Sequence, residues 1–264
     1  MLRVEQVSKT FNPGTINEKK ALDGLSLHLA PGDFVTVIGG NGAGKSTMLN
    51  AIAGTWPVDE GRIVIDGADV TALPDFKRAA YIGRVFQDPM MGTAPDMWLE
   101  ENLALALRRG KRRGLRWGIS KAERSLFRER LEELDLGLED RLSTKVGLLS
   151  GGQRQAVTLL MATLQEPKLL LLDEHTAALD PKTAEKVLEL SDRIVRRRKL
   201  TALMVTHNMR DAIAHGNRLI MMDAGHIVYD VSGEEKKNLT IDFLIRKFAD
   251  STGQEYNSDK GLLT

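Results

Sequence analysis

Apolar and polar residues change their period several times along this chain. Leu2-Arg3-Val4-Glu5-Gln6-Val7-Ser8 alternates as a half-exposed strand does. A loop is predicted from Lys9 to Lys20, with Asn12-Pro13-Gly14 as its turn signal and Phe11 near its start. Residues 21–29 read as a second strand. Pro31-Gly32-Asp33 then turns the chain into Phe34-Val35-Thr36-Val37-Ile38, a buried strand, and Met48-Leu49-Asn50-Ala51-Ile52-Ala53 reads as the first turns of a helix stopped by Gly54. Arg62–Asp66, stopped by Gly67, and Tyr81–Phe86, ending at Gln87-Asp88-Pro89, are further strands. The strand period then disappears. Residues 90–165 carry two or three helical patterns, among them Leu99–Leu107 and a helix begun by a Ser120/Glu123 capping box and running to about Leu136. Strand runs return at Leu169–Leu172, Ala202–Val205 and Arg218–Met222, with helices between them from Pro181 and from Met209. Gly225 closes a hairpin to Ile227-Val228-Tyr229, and from about Thr240 one short amphipathic helix precedes a polar end. The alternation predicts an α/β fold with a mixed, largely parallel sheet, an antiparallel β part at the N-terminus and an inserted helical subdomain. We divide the chain into a core of 1–89 and 166–235, a helical subdomain of 90–165, and a C-terminal helix and tail of 236–264.

The link from strand 34–38 to its helix is Gly39-Gly40-Asn41-Gly42-Ala43-Gly44-Lys45-Ser46-Thr47, which fits G-x-x-x-x-G-K-[ST] in the strand–loop–helix context the motif requires. Glycines let backbone N–H groups turn inward, and a helix N-terminus favours an anion there. Lys45 adds a point charge for β- and γ-phosphates, and Ser46 a hydroxyl for Mg²⁺. The core is therefore predicted to be that of a P-loop NTPase.

Lys168-Leu169-Leu170-Leu171-Leu172-Asp173-Glu174 is an apolar strand ending in two carboxylates, at the sheet rim where open α/β folds bind ligands. Asp173 is placed to hold Mg²⁺ through water, and Glu174 to orient an attacking water. Taken alone, the same run is a strand followed by a polar loop. Leu149-Ser150-Gly151-Gly152-Gln153 precedes the helical run from Arg154 to Leu164 and forms a second glycine-rich helix start. It can be a second anion site; on capping chemistry alone it is a helix with a serine N-cap.

Composition narrows the classes. With 264 residues, 42% of them hydrophobic and 28% charged, the chain is an ordinary globular protein large enough for a sizeable core. A net charge of +1 argues against a nucleic-acid partner. The absence of cysteine excludes disulfides, zinc-thiolate sites and thiol catalysis. The N-terminus does not read as a signal peptide, and no run approaches the ~20 apolar residues of a membrane span. A cytoplasmic chain is expected, with any membrane role supplied by partner chains. Arg108-Arg109-Gly110-Lys111-Arg112-Arg113-Gly114-Leu115-Arg116-Trp117 is one strong basic cluster, either a contact for acidic headgroups or an acidic partner, or a solvated inter-helix loop.

Taken together, these motifs make the chain resemble the ATP-binding subunit of ATP-binding cassette (ABC) transporters over about residues 1–235. Gly39–Thr47 is similar to the family's Walker A loop, Leu169–Asp173 to its Walker B strand and Leu149–Gln153 to its signature motif. By the same resemblance Gln87 matches the Q-loop glutamine, which serves catalysis and the metal. Ala178-Leu179-Asp180 matches the D-loop, His207 the switch histidine and Phe11 the aromatic that stacks on adenine. The resemblance implies ATP and Mg²⁺ as cofactors and a head-to-tail dimer. Each ATP would lie between one chain's Walker loop and the other's Ser150, Gly151, Gly152 and Gln153. It also implies an integral membrane permease as partner, a peripheral position on the cytoplasmic face of the membrane, and the groove near Gln87 and residues 88–103 as the permease contact.

The chain departs from the family's pattern at His175, where most members have proline, and at Ala177, where many have serine. It also lacks an arginine near the middle of the helix after the signature. These features resemble a bacterial importer subgroup paired with a permease and a substrate-binding lipoprotein, with amino acids, aromatic ones included, as the expected cargo. Direction and cargo are not written in a cassette, so peptides, metals and lipids stay open. His175 reads as a loop-packing residue or as a second switch histidine. Two alternatives stand beside the transporter reading. A soluble ABC-type ATPase of translation or DNA repair usually carries two cassettes or a long coiled-coil insertion, absent here. A P-loop kinase would have no need of Leu149–Gln153.

Overall fold

The computed structural model describes residues 1–111 and 118–252, so Arg112–Trp117 of the basic cluster and the polar end from residue 253 lie outside the described residues. β1 (Leu2–Phe11) and β2 (Lys19–Leu29) form an antiparallel hairpin. β3 (Phe34–Gly39) leads through the glycine loop into α1 (Lys45–Ala53), and β4 (Glu60–Ile65), β5 (Ala68–Asp69), α2 (Asp75–Arg78) and β6 (Ile82–Val85) follow. Next come α3 (Leu99–Leu107), α4 (Lys121–Glu132), a 3₁₀ turn at Val146–Leu148 and α5 (Gly151–Thr163). The chain then continues through β7 (Leu169–Asp173), α6 (Pro181–Arg197), β8 (Thr201–Val205), α7 (Met209–Ala214), β9 (Arg218–Asp223), β10 (His226–Ser232), α8 (Gly233–Lys237) and α9 (Ile241–Thr252). Between β6 and β7 the described residues hold helices and one isolated antiparallel bridge, Trp98 to Lys145.

Two sheets result. The first is antiparallel, in the order β2-β1-β4-β5; the second runs β10-β9-β3-β8-β7-β6, parallel except for β10. Leu169 and Leu171 of β7 pack with α1 and the first sheet, while Leu170 and Leu172 pack with α3, α5 and α6. That double coverage is why the strand reads as an unbroken apolar run. Ile38, Leu219 and Met221 pack under α7 and α9, where Leu244 and Phe248 are buried.

Capping explains the helix starts. Ser120 and Glu123 form the predicted box, Asp180 accepts from the Thr183 N–H ahead of Pro181, and Asn208 accepts from the N–H groups of Arg210 and Asp211.

The structure corrects three boundaries. β1 continues through Phe11, which pairs with Lys19. Register shifts along β1 break the period-two pattern there, so the loop begins only after Phe11. α4 ends at Glu132, short of Leu136, because Asp135 turns left-handed at φ 57°. The expected 21–29 strand begins two residues earlier, at Lys19. Of the basic cluster, Arg108 donates to the Gly118 carbonyl and to Glu123, and Arg109 to the Ala162 carbonyl, so both guanidinium groups serve packing within the chain.

Candidate functional site

The glycine loop crosses from the C-terminal end of β3 to α1. Gly44 lies at φ 97°, and a Cβ there would come 2.5 Å from the Ala21 carbonyl oxygen, so β2 packs against the loop as closely as only glycine permits. Lys45 folds back into its own loop: Nζ donates to the Gly39 oxygen at 2.6 Å and the Gly40 oxygen at 3.1 Å. Burial pushes the Lys45 ammonium down from its ordinary range, against the pull of Glu174 and Asp173. A cleft of about 440 Å³ runs along the loop, bounded by Phe11, Lys19, Ala21, Glu174 and residues 40–47, including Asn41, Gly42, Ala43, Ser46 and Thr47. Phe11 stands edge-on to Trp56 at 5.0 Å between ring centroids, which fixes its ring at the cleft wall.

Of the two carboxylates at the end of β7, Glu174 lines this cleft and Asp173 lines the groove beside it. Asp173, the last residue of β7, is bonded to Arg84 of β6, Nη2 to Oδ2 at 3.0 Å. Burial raises the Asp173 pKa, and Arg84 opposes the shift. Glu174 follows at φ 43°, a left-handed conformation uncommon for glutamate, with its N–H held by the Val205 carbonyl. Its Oε2 lies 3.5 Å from Nδ1 of His207, which follows β8. The His207 interaction lowers the Glu174 pKa, and Glu174 raises that of His207, so both charges are favoured. The arrangement offers a cation, a loop of N–H donors, and a carboxylate–imidazole pair around one anion-sized space.

Gln87 lies exposed in a neighbouring groove of about 640 Å³, which it shares with Asp173, Arg84, Trp56, Phe76 and Met91. Asp173 thus stands between the groove and the Lys45 charge. The carbonyl just before Gln87, that of Phe86, accepts from Gln155 of α5 at 3.1 Å. Ser150, Gly152 and Gln153 lie elsewhere, in a cleft shared with Leu134, Thr183 and Arg193 that has no lining residue in common with the glycine-loop cleft. Within the chain Ser150 and Gln153 form a reciprocal capping box, each backbone N–H donating to the other side chain at 3.2 Å. Gly151 and Gly152 open α5, and a Cβ on Gly152 would press on Thr183 at 2.2 Å. Asp180 is exposed and caps α6.

One chain therefore assembles Phe11, the glycine loop, Asp173, Glu174 and His207, sets Gln87 beside them, and holds Ser150–Gln153 and Asp180 apart. His175 does not join His207: it is buried, with Nε2 2.9 Å from the Ser191 hydroxyl, and packs its loop onto α6. Arg84, Trp56 and Lys19 were not singled out in the sequence. A charge within the otherwise apolar strand Ile82-Gly83-Arg84-Val85 was the one signal available.

The family model described as ABC transporter matches residues 22–177. A tyrosine transport ATP-binding protein from Clostridioides difficile is 46% identical over 249 residues, covering 94% of this chain and 98% of the relative. A methionine import ATP-binding protein from Rhizobium johnstonii is 38% identical, covering 86% of this chain and 60% of the relative. Among solved structures, the ATP-binding cassette MJ0796, in a dimeric post-hydrolysis state bound to ADP and Pi, superposes with a TM-score of 0.74 at 32% identity, covering 88% of this chain and 98% of that one. The ADP conformation of the cassette MJ1267 gives a TM-score of 0.76 at 28% identity over 96% of this chain.

Proposed function

This chain belongs to the ABC transporter family of ATP-binding subunits, and from that premise we propose that it powers uptake of an amino acid, an aromatic one such as tyrosine, through a separate membrane permease. The tyrosine transport protein, similar over nearly its whole length, supports the cargo. A substrate-binding protein outside the membrane would deliver it. No helix among the described residues is long and apolar enough to cross a membrane. By its likeness to transport ATP-binding subunits, the chain would work from the cytoplasmic face against the permease. In this reading the chain comprises an ATP-binding core (1–89 and 166–235), a helical subdomain (90–165) and a C-terminal segment (236–264).

The observation that carries the mechanism is the separation of two helix starts. The glycine loop before α1 and Ser150–Gln153 before α5 open into different clefts. A chain that serves one nucleotide needs one such start; two are useful when each forms half of a site. Two copies related by a twofold axis then complete two sites, with Ser150, Gly151, Gly152 and Gln153 of one copy facing Lys45 of the other across the γ-phosphate. Asp180, at the head of α6, lies along the same seam.

Within each site Phe11 stacks on the adenine, Gly39–Thr47 wrap the phosphates, and Lys45 exchanges its bonds to the Gly39 and Gly40 oxygens for the β- and γ-phosphates. Ser46, Asp173 and Gln87 bring oxygen donors only, a set suited to Mg²⁺. When bound, Mg²⁺ neutralises charge on the phosphates. Glu174 orients the attacking water, and His207 both steadies that carboxylate and reaches towards the γ-phosphate. Gln87, exposed beside Phe76 and Met91, links the site to the groove proposed for the permease.

Size-exclusion chromatography with ATP tests the shared site. The Glu174→Gln chain is expected to run as a dimer with ATP and as a monomer without it. Adding Ser150→Arg should abolish the dimer while nucleotide binding persists. A dimer that survives Ser150→Arg would remove the signature helix from the site.

A further inference from the structure

Arg84 occupies an unusual position for a free charge. It is the third residue of β6, the edge strand of the six-stranded sheet, in register with Leu171 of β7. Its side chain is only 14% exposed and its partner Asp173 only 15%. Nη2 bonds Asp173 at 3.0 Å, Nη1 reaches the Thr55 hydroxyl at 3.3 Å, the guanidinium lies 4.6 Å from the Phe86 ring centroid, and Nε is buried without a hydrogen-bond partner. Asp173 is the carboxylate assigned above to the metal, so this inference rests on that assignment.

A carboxylate so withdrawn from water is costly to leave without a bonded partner. Lys45 is engaged by the Gly39 and Gly40 oxygens, which leaves Arg84 as the bonded cation of Asp173. Arg84 takes Oδ2, and a divalent ion bound to the same carboxylate would share its charge with the guanidinium. The guanidinium has somewhere else to go: Thr55 and the face of Phe86 already hold it on the groove side, and Nε has a donor to spare. Gln87 and Met91 line that same groove.

We propose that Arg84 is a positioning residue that holds Asp173 through Oδ2 and offsets its charge, so that Arg84 raises the Mg²⁺ concentration the site requires. Arg84 keeps the carboxylate oriented, and the same bond makes a metal compete with the guanidinium for the charge of its ligand.

The test is a Mg²⁺ titration of the full chain at a fixed concentration of methylanthraniloyl-ATP, reading nucleotide fluorescence from a chelated start. Arg84→Met, which keeps length and removes charge, is expected to lower the Mg²⁺ midpoint about tenfold, the factor for losing one competing charge-assisted hydrogen bond. Arg84→Lys, which keeps charge without the planar fork, should fall between Met and the native chain. A midpoint in either variant equal to or above the native one, with nucleotide still bound, overturns the proposal. Asp173→Asn is the separating control and should erase the Mg²⁺ dependence in both backgrounds. If the native dependence survives Asp173→Asn, the metal assignment has failed and the role of Arg84 falls with it. If the native chain binds no methylanthraniloyl-ATP at all, the nucleotide site itself is wrong.

Discussion

Nδ1 of His207 stands 3.5 Å from Oε2 of Glu174, and each residue shifts the other's titration in the direction that keeps both charged. His207 has its pKa raised, so its part in the pair is complete below its ordinary value of 6.5 and is lost as pH rises through the raised value. Glu174 has its pKa lowered, so its part is complete above 4.5 and is lost as pH falls through the lowered value. Two-dimensional NMR of the imidazole should show His207 titrating above 6.5, and Glu174→Gln should return it towards 6.5. An unmoved His207 titration in that variant would show that the contact does not persist in solution.

The same substitution addresses the chemistry. Glu174→Gln removes the water-orienting charge and leaves Lys45, Ser46 and Phe11 in place. ATP should bind with near-native affinity while turnover falls by about 10²-fold or more, the usual loss for one transition-state group. Phosphate release alongside equilibrium nucleotide binding checks the pair of expectations, and near-native turnover would remove Glu174 from its assigned role.

His175 gives the protein an acid-labile element in the residue next to Glu174. Burial, with a contribution from His215, pulls its pKa from 6.5 down to about 4, so the folded ring is neutral against Ser191. Between those values the unfolded chain takes up the proton and the folded chain resists it. The contribution is therefore complete above pH 6.5 and erodes as pH falls towards 4, by about 1.4 kcal/mol per unit within the window. Urea melts from pH 6.5 to 5 should show a slope shallower by about one proton in His175→Gln than in the native chain.

Arg78 is 1% exposed and donates to the carbonyls of Leu73, Ala51, Ile52 and Thr71. It thereby closes the C-terminal end of α1, the helix that begins with Lys45. A Cβ on Gly54 would meet its Nε at 2.6 Å, so the helix stop at Gly54 is also the slot for the guanidinium. Arg78→Met leaves these carbonyls without their donor and should cost about 3 kcal/mol or more. On a chain of this length that lowers the melting temperature by about 6–12 °C, a shift calorimetry would resolve.

These residues mark what the sequence could carry. The glycine loop, the Ser120/Glu123 box and the Asp173-Glu174 strand end are local, with their partners within a few positions, so pattern alone located them. Arg84 meets Asp173 across 89 positions and Arg78 meets Ala51 across 27, and such pairs leave no local trace. Phe11 was assigned to a loop because the register shifts of β1 hid its strand, although its place at the cleft was expected from the family resemblance. Ser150 satisfies capping chemistry completely within one chain, so its proposed role becomes visible only when a second copy is considered.

The order of the central sheet has a further consequence, for synthesis. Among the described residues β3, which delivers the phosphate loop, has β8 and β9 as its strand neighbours, and those strands begin at Thr201 and Arg218. On the ribosome, at about 5–20 residues per second, β3 therefore waits roughly 10–30 s with both edges bare. Gly40 meets its late neighbour Phe248 only when α9 has also emerged. An element of the nucleotide site made early is thus among the last to be finished, and the nascent chain carries an apolar, unpaired strand for most of its translation.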